Sequence, residues 1–538
     1  MLQQNSTKIN NLEELAKCDL SSLSHFNLQL KNRINLEQEF VLLNQYLKQC
    51  QQIQTLSLNF EGEIIKDNHI VLMLNDLPEY KNLTCLSLNL NYSLIDFKHS
   101  QGAKILKEFL EKGSNLTKLS LSLCGIKFQE QALELIIDAL FKLKKIQDLE
   151  LNLADNSIDN EVAQQISNSL NTIENLENLK LDLINCNISG DQICYISQGI
   201  INCKNLKKLD LNLGQNQISK QGVFSVQKLL INCSQLTLLY LQLWNCNLDD
   251  EDAQLVGDGL SRCKNLVDLQ LSLSKNKIQD QGASSIGIGL SNCKKIENLK
   301  LFLWGNLIGN KGLQTIGIGL SNFENMINLE CSFQQNTFNH EGALSIINGL
   351  KKYTQIKKLQ LYLGSSQLGL EGASEIGRWL SKCQNLSILD LSLVNCDLGD
   401  EGVSSISQGL SQCQHISILE IYLGENNISE QGAIQISKYL LKLQNTKDFL
   451  LSLRNNIISE EGYLVLAEFL SNLQNLHILR LNISDDDYYL KSKHMLNCSN
   501  IRVLEINVSY CLNKKNQLDH YRKALKIKRL VKLSFSDS

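Results

Sequence analysis

The thirty residues 266–295 read LVDLQLSLSKNKIQDQGASSIGIGLSNCKK, and they change periodicity once. Leu269, Leu271 and Leu273 alternate, the two-residue period of a strand with one buried face. Ala283, Ile286 and Leu290 then follow the three-to-four spacing of a helix. Between them lies a polar turn with Asn276 and Ile278, and Gly282 stands at the helix start. The leucine that opens the strand recurs at Leu119, Leu149, Leu179, Leu209, Leu239, Leu299, Leu329, Leu359, Leu389, Leu419 and Leu479, with Phe449 in the remaining slot. A fixed period in this range signals stacked units. One strand and one helix cannot bury both apolar faces alone, so each unit needs its neighbours.

These residues resemble the leucine-rich repeat family, in its ribonuclease-inhibitor-like class. The family core LxxLxLxxNxL stands here as LxxLxLxLxxNxI, from Leu266 to Ile278, and the added strand pair accounts for a period slightly longer than is usual in that class. The asparagine slot alternates in part between Asn and Cys: Asn156, Cys186, Asn216, Cys246, Asn276, Asn306, Asn336, Ser366, Cys396, Asn426 and Asn456. The resemblance implies that this side chain binds backbone groups inside the turn, which would otherwise be buried unpaired. It also implies an α/β solenoid. Parallel strands stack about 4.8 Å apart and helices about 10 Å apart. The expectation is therefore a horseshoe of about eighteen strands, with a parallel sheet on the concave side and helices on the convex side.

The unbroken repeat overrides the several domains that 538 residues would ordinarily suggest. The chain divides into a polar segment 1–22, irregular repeats and a cap at 23–118, regular repeats at 119–483, and degenerate repeats with a cap at 484–538. Segment 1–22 reads as disordered or as a short capping helix. A first strand is expected around Leu28 and Leu30, a helix from Glu39, and strands at Leu56–Leu58 and Leu86–Leu90. Beyond Ile483 the pattern yields a strand at Leu504–Val508, a basic amphipathic helix around His520 to Lys528, and a last strand with Val531, Leu533 and Phe535.

A formal charge of -4 provides no basic field for nucleic acid. The first residues lack the apolar core of a signal peptide, and no apolar run reaches the ~18 residues of a membrane span. The expected address is cytoplasmic, with cytoskeleton or cilium compatible. Cys203, Cys233, Cys263, Cys293, Cys383 and Cys413 share one slot after the helix, which reads as reduced core cysteine.

No catalytic, cofactor or metal motif is found. Gly287-Ile288-Gly289 and Gly317-Ile318-Gly319 fall inside expected helices, where glycine permits close helix approach. The histidines are scattered and no CxxC pair occurs among the repeated cysteines.

The residues between the strand leucines must face away from the core. After the first leucine they include Glu150, Asp210, Glu330, Asp390 and Glu420 against Lys180, Lys300 and Arg480, a mild acidic bias. After the second, Ser272, Ser332, Ser392 and Ser452 alternate with Phe302, Tyr362 and Tyr422. Tyr240, Trp244 and Trp304 extend the outward face by the same alternation. These six aromatics either pack across their neighbours to shield the sheet or form a contact surface, since rigid aromatics are favoured at protein-binding hot spots.

The expected function is a non-catalytic scaffold that binds a protein partner in the concavity, an inference from fold analogy. The alternative is a regulator of an enzyme, such as a GTPase-activating protein of the Ran type. Those similar proteins carry an acidic tail, whereas this chain ends in KALKIKRLVKLSFSDS.

Overall fold

The computed structural model describes residues 6–9, 19–29, 36–63, 65–92, 101–126, 128, 131–483, 493–494, 500–508 and 532–537. The helix expected around His520 to Lys528 lies outside them, as do Leu30 and Val531. Two compact units are present: Met1–Leu248 with Asp258–Leu266 and Gln270–Leu273, and Asp249–Gly257 with Val267–Leu269 and Ser274–Ser538.

Each coil follows the pattern of residues 266–295. Asp268–Ser272 is a strand and Asp280–Ser291 a helix. Leu269, Leu271, Leu273, Ala283, Ile286 and Leu290 are all fully buried. Burying one such leucine contributes about 1.5–3 kcal/mol, so a coil is held by its row of apolar side chains.

In the first unit parallel strands pair in chain order from Ser6–Ile9 to Leu238–Gln242. Leu149, Leu179, Leu209 and Leu239 lie in register across it. In the second unit the strands from Asn298–Phe302 to Lys532–Asp537 do the same, and Phe449 takes the leucine slot between Leu419 and Leu479. Helices alternate with strands from His25–Gln29 to Ile478–Ile483. A sheet spacing smaller than the helix spacing bends each unit with its strands inside.

The described residues form nineteen strands, one more than the sequence reading expects. The additional strand is Ser6–Ile9, in a segment read as disorder or a capping helix. It forms by pairing with His25–Gln29, a contact that no local periodicity announces.

The asparagine slot behaves as the resemblance implies. Asn216 Nδ2 donates to the carbonyls of Leu183 at 2.8 Å and Leu213 at 2.9 Å. Its Oδ1 accepts from the backbone N–H groups of Cys186 and Ile188. Asn426 serves Leu393, Gly424, Cys396 and Leu398 in the same way. Where the slot holds cysteine, the thiol keeps the carbonyl contacts: Cys186 Sγ meets the carbonyls of Leu153 at 3.1 Å and Ile184 at 3.4 Å, and Cys246 Sγ those of Leu213 at 3.2 Å and Trp244 at 3.5 Å. The residue just before the slot is left-handed in coil after coil, as at Asp155, Gln215, Gln335 and Glu425, and Gly62, Gly125 and Gly305 put a glycine there.

The repeated post-helix cysteines are free and buried. Burial pushes the thiols of Cys203, Cys293, Cys383 and Cys413 up to about 12, so they stay protonated. The GIG segments lie inside helices, as expected. A Cβ at Gly289 would meet the Gly257 carbonyl oxygen at 2.4 Å, so glycine there lets adjoining helices touch backbone to backbone.

Candidate functional site

Five-residue strands whose second and fourth side chains are buried leave the first, third and fifth on the opposite face. The strand Lys358–Tyr362 shows this pattern: Leu359 and Leu361 are buried, while Lys358, Gln360 and Tyr362 are partly open. The outward wall thus has three columns of side chains. The sequence reading took the two that follow a leucine and missed the one before it, although one more step of the same alternation reaches it. That missed column carries Asp448, Asn298 and Asn328, and Asn328 Nδ2 donates to Asn298 Oδ1 at 2.6 Å.

Each of the six aromatics on the wall is half-buried. In the first unit Tyr240 lies on the strand Leu238–Gln242, and Trp244 follows it into the turn. Trp244 rests on Gly214 of the preceding coil, where a Cβ would come within 2.3 Å of the indole Nε1. Glycine at 214 is required by that seat. Elsewhere on this wall Lys180 pairs with Glu150 at 2.6 Å, and Ser120 donates to the same carboxylate at 2.9 Å.

In the second unit the register places Ser332 between Phe302 and Tyr362, and Ser392 between Tyr362 and Tyr422. The serines are only 7 % and 5 % exposed, although they stand on the outward face. Half-buried rings flank each of them, so the furrows between the aromatics are closed. Gln334 Nε2 reaches across to Ser392 Oγ at 3.2 Å. Lys275 lies over the Trp304 ring at 4.8 Å, a cation–π contact that holds the indole from the preceding coil.

The tyrosine hydroxyls are tied to carboxylates. Tyr362 donates to Asp390 Oδ2, which also accepts from Gln360 Nε2 at 3.3 Å. Tyr422 donates to Glu420 Oε2 at 3.2 Å. Arg480 joins Glu420 at 2.9 Å and Asp448 at 2.7 Å, while Lys300 pairs with Glu330 at 3.3 Å. Burial, then the hydrogen bond to Asp390, pushes the Tyr362 phenol well above its ordinary value. Burial likewise raises the Asp390 carboxyl, and the neighbouring Glu420 and Glu330 add to the shift. The bonds to Tyr362 and Gln360 oppose it without cancelling it.

The sequence reading brought the aromatics and the acids Glu330, Asp390 and Glu420 to one face, but not the bonds that tie Tyr362 to Asp390 and Tyr422 to Glu420. The Tyr362–Asp390 bond joins neighbouring coils, and it appears only when two strands are set side by side in register. In the second unit the outward strand face offers carboxylate acceptors and aromatic rings.

Parallel strand, turn and helix, repeated coil upon coil, define within each unit a leucine-rich-repeat-like solenoid. Comparison with protein-family models and with curated proteins returns no match. Among the described residues no group of three or more His, Cys, Asp or Glu is placed to hold a metal ion, and no helix is long and apolar enough to cross a membrane.

Proposed function

We propose that the chain is a leucine-rich repeat protein of the ribonuclease-inhibitor-like class, and a non-catalytic scaffold that binds a protein partner through its outward strand face. The class is supported by LxxLxLxLxxNxI together with the bonds of its asparagine slot. A cytoplasmic address is supported by the buried free thiols, which suit a reducing compartment.

The observation that carries the function is the order of the second unit's aromatic wall. Trp304, Tyr362 and Tyr422 are held by Lys275, Asp390 and Glu420, so little side-chain freedom is lost when a partner covers them. Pre-ordered aromatic and amphipathic groups are the anchors on which protein interfaces concentrate their energy.

The test is a triple variant, Trp304→Ala, Tyr362→Ala and Tyr422→Ala, compared with the parent chain in affinity capture from cell extract. The expected result is loss of the captured partners with the circular dichroism spectrum retained. An unchanged set of partners from a folded variant would overturn the assignment.

A further inference from the structure

The outward wall of the second unit contains one acid unlike the rest. Glu330 has Lys300 beside it, and Glu420 and Asp448 share Arg480. Asp390 has no cation partner among the described residues, although Lys358 stands on the same face one strand away. It is also the most enclosed of the four, at 8 % exposure. Its Oδ2 is occupied by Tyr362 and Gln360, but its Oδ1 is buried and has no hydrogen-bond partner.

A buried carboxylate oxygen left unpaired costs free energy that a donor could recover. The repeat itself would not leave such a cost in place, because the equivalent positions hold Gln360 on one side and a paired Glu420 on the other. The ring of Tyr362 lies on one neighbouring strand and that of Tyr422 on the other. Those rings flank Ser392, the next outward residue after Asp390 on the same strand, so a carboxylate acceptor lies beside two aromatic rings and matches a flat cation, which can donate at its edge and stack on its faces.

We propose that Asp390, with Tyr362 and Tyr422, forms the receiving site for an arginine side chain of the partner. This rests on the scaffold reading above and names the partner chemistry at one point of that surface. The guanidinium donates to Asp390 Oδ1 and lies against the tyrosine rings. Entry requires a cover to move, and Gln360 is the loosest part of it. Its amide meets both Tyr362 Oη and Asp390 Oδ2 at 3.3 Å, the long end of hydrogen bonding. Lysine fits less well, since an ammonium offers no planar face to the rings and no paired donors to the carboxylate.

The test is saturation-transfer NMR on the full chain with N-acetyl-arginine amide as the probe and N-acetyl-citrulline amide as its neutral counterpart. The parent chain is expected to give a signal for arginine several-fold above that for citrulline. Asp390→Asn keeps the size and the acceptor for Tyr362 while removing the charge, and it is expected to abolish the difference. Its melting temperature should equal or exceed that of the parent, because a buried unpaired carboxylate is gone. Equal signals from the two probes, or an arginine signal that survives Asp390→Asn, would overturn the site. A result of that kind alongside lost capture by the triple variant would remove the arginine site and leave the scaffold standing. The converse pair of results would remove the scaffold and with it the partner as the source of the arginine, while Asp390 would still bind a guanidinium.

Discussion

At the scale of single residues, the turns are the least economical part of the chain. Asp155, Gln215, Lys275, Gln335, Glu425 and Asn455 all sit near φ +55°, where a Cβ is strained by about 1–2 kcal/mol. Gly62, Gly125 and Gly305 relieve that strain at the equivalent place. Replacing Gln335 by glycine is therefore expected to stabilise the second unit by roughly 0.5–1 kcal/mol, after the entropic cost of glycine in the unfolded chain is set against the relief. Urea unfolding of the variant beside the parent measures this, and a lowered midpoint would refute it. This was legible only in part: Gly62, Gly125, Gly305 and Asn185, Asn245, Asn395 and Asn455 are of types that favour a left-handed backbone, whereas Gln, Lys and Glu in the same column give no such signal. The asparagine slot, four residues past the strand end as at Asn276, was readable through the family resemblance, which implies that its side chain binds backbone groups inside the turn.

At the scale of elements, strands and helices follow from apolar spacing, but the helix starts do not. In the second unit the first turn of a helix is bonded by the coil before it. Asp250 Oδ1 accepts from Gln279 at 2.7 Å and Gly282 at 2.9 Å. Asp280 Oδ1 accepts from Gly309 and Gly312, each at 2.8 Å, and Asn310 Oδ1 from Asn339 and Gly342. Asp400 does the same for Ser429. These donors are among those that a helix cannot satisfy internally. The carboxylates at 250, 280 and 400 could have been found by listing each thirty-residue column, yet a single coil shows only an acid at the start of its own helix. Substituting Asp280 by alanine is expected to cost about 1–2 kcal/mol. Hydrogen exchange should quicken at Gly309 and Gly312 more than at Gly282, whose acceptor is untouched. Equal protection at all three glycines would contradict the cross-coil cap.

At the scale of the whole molecule, stability is close to a sum over neighbouring coils, so a local titration is felt in global unfolding. His69 is buried at 4 % exposure and stacked on Phe40 at 5.0 Å, and its Nδ1 accepts from the Lys66 backbone N–H. Burial pushes its imidazole below the ordinary value of 6.5, with Lys66 adding to the effect against Glu37. A depressed histidine stays neutral when folded, while the unfolded chain takes up a proton below about 6.5. Stability must then fall as pH drops from about 6.5 toward the folded value, by no more than about 1.4 kcal/mol per pH unit. Denaturant titrations at pH 7.5 and 5.5 should show the parent losing more than His69→Gln. An identical loss in both would place the acid sensitivity elsewhere. At this scale the repeat, the parallel register and the strand–helix order were legible from leucine spacing. The hydrogen bonds of Tyr362 with Asp390 and of Arg480 with Glu420 were not, because they arise between coils and leave no mark on the pattern of any one of them.

The caps have a direction. An acceptor on one coil serves donors that come later in the chain, so during synthesis the receiving carboxylate is already in place when the next helix emerges. For the helix layer, removing coils from the carboxyl end would leave spare acceptors in contact with water. Removing them from the amino end would strand backbone donors at the new boundary. In this layer the polypeptide is built to lengthen in the order in which the ribosome delivers it.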